Sequence, residues 1–122
     1  MNILAKGEQV IDFLTNNESL ISGELKRVEI SNQENQLNIE LSISLMYSKK
    51  VKEVIIRFVG VTEYSFFYSN INNFYFIEEY KFFKKEGLFY ISLDPLNVSE
   101  DKKESGDNNY ILANDVTLCS KI

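Results

Sequence analysis

Gln36-Leu37-Asn38-Ile39-Glu40-Leu41-Ser42-Ile43-Ser44-Leu45-Met46-Tyr47 decides the fold class. Leu37, Ile39, Leu41, Ile43, Leu45 and Tyr47 alternate with Gln36, Asn38, Glu40, Ser42, Ser44 and Met46. Successive side chains of an extended backbone point to opposite faces. A strict period of two therefore predicts one long strand from Leu37 to Tyr47 with a buried face and a mostly polar one.

Working outward, Asn32-Gln33-Glu34-Asn35 has the composition of a turn. Before it, Val28 and Ile30 alternate with Arg27, Glu29 and Ser31, so a second strand precedes the first. Leu25 falls out of phase with that pair, which predicts a bulge near Lys26. After the long strand, Ser48-Lys49-Lys50 turns the chain into another, with Val54, Ile56 and Phe58 facing the core and Gly60 marking a bulge or bend. Tyr64-Ser65-Phe66-Phe67-Tyr68 continues as an extended aromatic stretch, and Ser69 to Asn73 reads as a loop.

The segment Phe74–Phe83 fits a strand, and also a helix through Phe74, Ile77, Tyr80 and Phe83. Its aromatic content and the Lys84-Lys85-Glu86-Gly87 turn favour a hairpin with Leu88–Leu93. Asp94-Pro95 closes that hairpin, because proline donates no amide hydrogen. Residues Asn97–Asn109 are polar and charged, the composition of a mobile loop. Tyr110-Ile111-Leu112 and Val116-Thr117-Leu118 then form a last strand or a short hairpin around Asn114-Asp115. At the other end, Ile3, Leu4, Val10, Ile11 and Leu14 share a helical face, while Gly7 tends to restrict that helix to the residues after it. The expectation is a single α+β domain over residues 1–122. It has an N-terminal helix and about six mostly antiparallel strands, arranged as a curved sheet or half-barrel, or alternatively as a two-sheet sandwich.

The chain has 122 residues, 44% hydrophobic and 25% charged, which is enough to bury a core without disulfides. A net charge of −5 argues against nucleic acid and against an anionic membrane surface. The basic run Lys49-Lys50-Val51-Lys52 reads as a charged turn. Residues 1–20 show no basic start with a long apolar core, and no apolar run reaches membrane-spanning length, so no leader and no span are expected. One cysteine, Cys119, permits no internal disulfide and suits a reducing cytoplasmic setting.

The sequence contains no histidine, and this removes the commonest general base and the commonest metal ligand. It contains no phosphate-binding glycine motif either. Asp94, Glu100, Asp101, Glu104 and Asp107 invite a calcium reading. However, Lys103 and Leu112 stand where an EF-hand beginning at Asp101 needs oxygen ligands, which leaves at most an irregular cation site. Glu78 and Glu79 are adjacent, so on a strand they would point to opposite faces and could not act together. No catalytic residue, metal or cofactor is expected.

Twelve of the sixteen tyrosines and phenylalanines lie between Tyr64 and Tyr90. In a hairpin from Phe74 to Leu93 both faces would be apolar, more than one core can use. Tyrosine tolerates partial exposure, so Tyr68, Tyr75, Tyr80 and Tyr90, flanked by Glu78 and Glu79, form the candidate partner-binding set, suited to a basic protein.

In size, acidity and the absence of both a secretion signal and catalytic residues, the chain resembles the small bacterial immunity proteins that neutralise toxins. The likeness covers general character and no diagnostic motif, so no family residue is carried over. Tyr90-Ile91-Ser92-Leu93-Asp94-Pro95 also looks like a segment of small uncharacterised bacterial proteins. The resemblance implies a non-enzymatic protein-binding module with a basic toxin domain as partner, while the surplus apolar face of the hairpin equally suits self-association with a second copy of the chain. The alternative is a small-ligand binder with aromatics lining a half-barrel mouth.

Overall fold

The computed structural model describes every residue except Met1, Lys49, Asn72, Glu100 and Ile122. Its described strands are β1 (Asn2–Lys6), β2 (Glu24–Gln33), β3 (Gln36–Ser44), β4 (Glu53–Ser65), β5 (Lys81–Lys85), β6 (Leu88–Asp94) and β7 (Asn108–Ser120). The helix α1 (Glu8–Asp12) runs on into a π-helical turn, Phe13–Asn17. All strands join one open antiparallel sheet in the order β2-β3-β4-β7-β6-β5, with β1 also paired to β7. Among the described residues, neither a half-barrel nor a two-sheet sandwich forms.

The alternation that announced β3 is realised in its burial. Ile39, Leu41 and Ile43 are fully buried and face Phe58, Ile56 and Val54 of β4. Those in turn face Val116, Leu118 and Ser120 of β7. Val10, Leu14, Leu20 and Ile77 belong to the same buried cluster, so α1 and the segments after it close this face. Leu45 is buried just beyond the end of β3, whereas Met46 and Tyr47 are exposed and outside the ladder. The β2–β3 register slips between Leu25 and Arg27, which places the expected bulge at Lys26.

Other expectations are corrected. Residues 2–6 form β1 rather than the start of the helix. Gly7 adopts φ +60, a left-handed conformation that favours glycine, and this separates strand from helix. Ala5 is then buried beside β7 and Ile3 is exposed. Gly60, expected at a bulge or bend, adopts φ +67 within β4, which continues through it, and the β4–β7 register shifts just beyond, between Val61 and Glu63. Of the two readings of the C-terminal stretch, the single strand forms and not the hairpin, since β7 runs through Asn114, with Val59 facing Asp115 and Val61 facing Ala113.

The largest departure concerns residues 74–80, of which none joins a hairpin with β6. Their backbone groups are spent on the start of β2 instead. The Leu25 amide donates to Tyr75 O (2.7 Å), the Ile77 amide to Gly23 O (3.0 Å) and the Ser22 amide to Ile77 O (2.7 Å). A residue whose amide and carbonyl are bonded in one direction has nothing left to extend a ladder in another. Of residues 74–85, only Lys81–Lys85 pairs with β6.

Candidate functional site

The surplus apolar face of β5 and β6 is covered by the chain itself. Phe83 and Tyr90 face each other across the β5–β6 pair, on the side away from the main core, and both are buried. The connection between β6 and β7 folds over them. Its fastening is the Asp107 carboxylate, which accepts the Tyr90 hydroxyl at 2.7 Å, the Leu96 amide at 2.9 Å and the Glu104 amide at 3.0 Å. Lys81 Nζ lies 2.9 Å from the same carboxylate, donates to Lys102 O at 2.8 Å and meets Glu104 Oε1 at 3.3 Å. Three acceptors thus surround an ammonium with three hydrogens, which is what its burial requires. The acidic connection is therefore organised around a cation belonging to the chain. Among the described residues, no group of three or more His, Cys, Asp or Glu side chains is placed to hold a metal ion.

This fastening perturbs both acids. Burial would raise the Asp107 carboxyl. The donors from Leu96, Tyr90, Glu104 and Lys81 outweigh burial and hold it below the usual aspartate value. Burial, reinforced by the adjacent Asp107 charge, pushes the Tyr90 phenol far up. At the surface nearby, the Tyr110 hydroxyl and Lys103 both donate to Glu63, and Lys103 also lies over the Tyr110 ring. The Tyr110 and Lys103 donors lower the Glu63 carboxyl.

The predicted binding set is accordingly divided. Tyr90 is 1% exposed and cannot present its ring to a partner. Tyr80 is half-buried and donates its hydroxyl to Leu14 O at 2.6 Å, which ties the 74–80 segment to the π-helical turn. Tyr68 and Tyr75 are 63% and 49% exposed, and Glu78 and Glu79 are exposed as well. The exposed members lie on an aromatic ridge that sequence reasoning gave only in part. Phe66, Tyr68 and Phe74 are linked edge-to-face, with ring centroids 6.2 Å (Phe66–Phe74) and 5.9 Å (Tyr68–Phe74) apart. Phe67, Ile71 and Phe76 are exposed beside them.

Phe74 separates two concavities. On one side is a groove of about 350 Å³, lined by Leu25, Lys26, Arg27, Val28 and Phe66. Its two cations are already engaged, Lys26 with Glu24 and Arg27 with Glu29, both at 2.6 Å. On the other side is a cleft of about 450 Å³ between the Ile71–Glu79 segment and the Leu93-Asp94-Pro95 corner, floored by Asn109. Glu78 and Glu79 both line it. The expectation that they point apart assumed a strand, and residues 74–80 are not one.

Two buried side chains, Asp107 just before β7 and Asn109 within it, hold segments near this cleft in place. Asp107 binds the Leu96 amide and so fixes the corner that follows Pro95. Asn109 Oδ1 accepts the Phe67 amide at 2.9 Å and anchors the aromatic ridge. Sequence alone offered one weak signal for the fastening, a lysine set between Tyr80 and Phe82 in an otherwise aromatic run. It offered none for the cleft, whose walls come from separate segments.

No protein-family model matches the chain, and no curated protein or solved structure matches it either. No described helix is long and apolar enough to cross a membrane.

Proposed function

We propose that the protein is a non-enzymatic protein-binding module of the immunity type, which neutralises a basic toxin domain by docking through the Phe66–Phe76 ridge. The observation carrying this reading is the ridge itself, in which Phe67, Tyr68, Tyr75 and Phe76 are exposed around the partly buried Phe66 and Phe74, with the Phe67 amide held by Asn109. Large exposed apolar patches with polar rims are characteristic of interaction surfaces, and aromatic side chains supply much of the energy at such interfaces. The open sheet favours this reading over a small-ligand binder, since it offers no barrel mouth to enclose a ligand.

A growth-rescue experiment tests it. Products of the genes flanking this one are expressed in a host, with and without the chain. The reading expects one product to be toxic and the chain to restore growth. Tyr68→Ser with Tyr75→Ser should abolish rescue while the variant remains folded at the parental level. Rescue from no flanking product, or rescue undiminished in the double variant, overturns it.

A further inference from the structure

We infer that the protein self-associates as a two-fold dimer, in which the free edge of β2 (residues 27–33) pairs antiparallel with the same edge of a second copy. The inference stands apart from the ridge reading, since β2 carries neither Tyr68 nor Tyr75.

Backbone geometry leaves this edge open. Strand β2 ends the strand order. Gln33 and Gln36 flank a two-residue turn in which Glu34 and Asn35 have φ 52 and 65, so this pair exchanges both of its backbone bonds. Alternation from that pair points the amides and carbonyls of Asn32, Ile30 and Val28 away from β3. Residues 75–77 occupy the same edge only as far as Leu25, and among the described residues no strand or bridge continues along 27–33. A row of such groups is a template for another strand. The usual protections are missing, since 27–33 contains no lysine or proline and the bulge lies before it, at Lys26. The other terminal strands are guarded. β5 has five residues and ends in Lys84-Lys85, with Lys84 3.8 Å from Glu8 of α1. β1 also has five, and its register breaks between Ile3 and Ala5.

The side chains select a second copy as the occupant. Val28 and Ile30 lie opposite Leu41 and Ile39 and so project to the core face, yet Ile30 is 43% exposed because the sheet stops at β2. A two-fold axis at Ile30 continues that face. It sets Ile30 against the second copy's Ile30 and Val28 against its Asn32, and every outward amide meets an outward carbonyl. On the other face Glu29 meets Ser31 and Arg27 meets Gln33, so no like charges stand directly opposed. An axis at Glu29 would set two glutamates face to face. An axis at Val28 would run the second copy into Tyr75, which already holds the Leu25 amide. With the axis at Ile30, Glu34 of each copy approaches Lys26 of the other, opposite in charge. Arg27 and Glu29 pair at 2.6 Å and leave 27–33 neutral, so two chains of net charge −5 do not repel along this strip. The contact uses one edge on both copies and closes on itself.

The test combines sedimentation with amide hydrogen exchange on the full chain. Between about 5 and 500 µM the parent should pass from monomer to dimer. Over that range exchange at Val28, Ile30 and Asn32 should slow by about tenfold or more, while Glu29 and Ser31, already bonded to β3, should change much less. Ile30→Lys alters a residue that is already partly exposed and sets two ammonium groups against each other at the axis. It should remain monomeric at the highest concentration, with the parental circular dichroism spectrum. A parent that is monomeric at every concentration overturns the inference. So does a dimer undiminished in Ile30→Lys, or one whose Val28, Ile30 and Asn32 amides still exchange at the monomer's rate. If Ile30→Lys fails to fold, the concentration dependence of those three parental amides decides the matter alone.

Discussion

Lys81 Nζ lies 2.9 Å from Asp107 Oδ2, with the two side chains only 2% and 0% exposed. Such a pair is held against the cost of dehydrating both ions, so it adds little net stability when complete but is costly to break. Lys81→Met should leave the Asp107 carboxylate buried without its cation and cost about 3–5 kcal/mol, measured by urea unfolding. Combining it with Asp107→Leu should recover part of that loss. If the single change costs under about 1 kcal/mol, the pair is not the fastening described above.

Acid should act through the same carboxylate. Its folded-state pKa is held below the ordinary 3.8 and its unfolded value lies near it. The contribution is therefore complete above about pH 5 and declines as pH falls through the unfolded value towards the folded one. Tyr90 sets the alkaline limb, since its folded pKa is raised above the ordinary 10.0 and its contribution is lost as pH climbs past that value. Unfolding free energies across pH should show both limbs, and Asp107→Asn should flatten the acid one.

Residues 39–45 and the positions Val54, Ile56 and Phe58 were legible because each side chain's fate depends on one local rule, alternation against a buried face. The bulge at Lys26 was legible for the same reason, as a break in that rule. Residues 74–80 were not. Their aromatic composition suits a strand, but their hydrogen bonds go to Ser22, Gly23 and Leu25, some fifty residues away, and no local pattern encodes that competition. The fate of Tyr90 was hidden likewise, since it is buried by a connection whose acidity alone suggested mobility. Of the candidate site, the exposure of Tyr68 and Tyr75 followed from tyrosine's tolerance of water. The cleft depended on chain segments meeting in space.

The core assignment of β3 has a direct check. Leu41 is fully buried between Val28 and Ile56 in the ladder. Leu41→Ala should cost about 2–5 kcal/mol, and the amides of β3, β4 and β7 should be the slowest to exchange. Fast exchange throughout β3 would contradict its central place.

Gly60 separates backbone strain from side-chain crowding. An added Cβ would meet Asn114 Nδ2 at 2.7 Å, a side-chain end able to rotate away, and Asn114 Cβ at 3.2 Å, a tight contact that needs only a few tenths of an ångström of give. The φ of +67 cannot be relieved so easily within β4. Gly60→Ala should therefore cost about 1–2 kcal/mol, and Asn114→Ala in the same chain should restore little of it. Full restoration would assign the cost to crowding instead.

The four tyrosines should sort by position once each is altered. Tyr68→Ser and Tyr75→Ser remove exposed rings, so thermal and urea stability should change by less than about 0.5 kcal/mol each. Tyr80→Phe removes the bond to Leu14 O, and should cost about 1 kcal/mol and loosen the 74–80 segment in hydrogen exchange. Tyr90→Phe keeps the ring but deprives buried Asp107 of one donor, which should cost about 1–3 kcal/mol. Tyr90→Ser also removes a ring buried against Phe83 and Tyr110, and its cost should reach about 3–5 kcal/mol. The order Tyr68 and Tyr75 below Tyr80, with Tyr90 highest, follows from burial and bonding alone and requires no partner. If Tyr90→Ser were as stable as the parent, the covering of β6 by the connection would be wrong, and Tyr90 would return to the exposed face with Tyr68 and Tyr75.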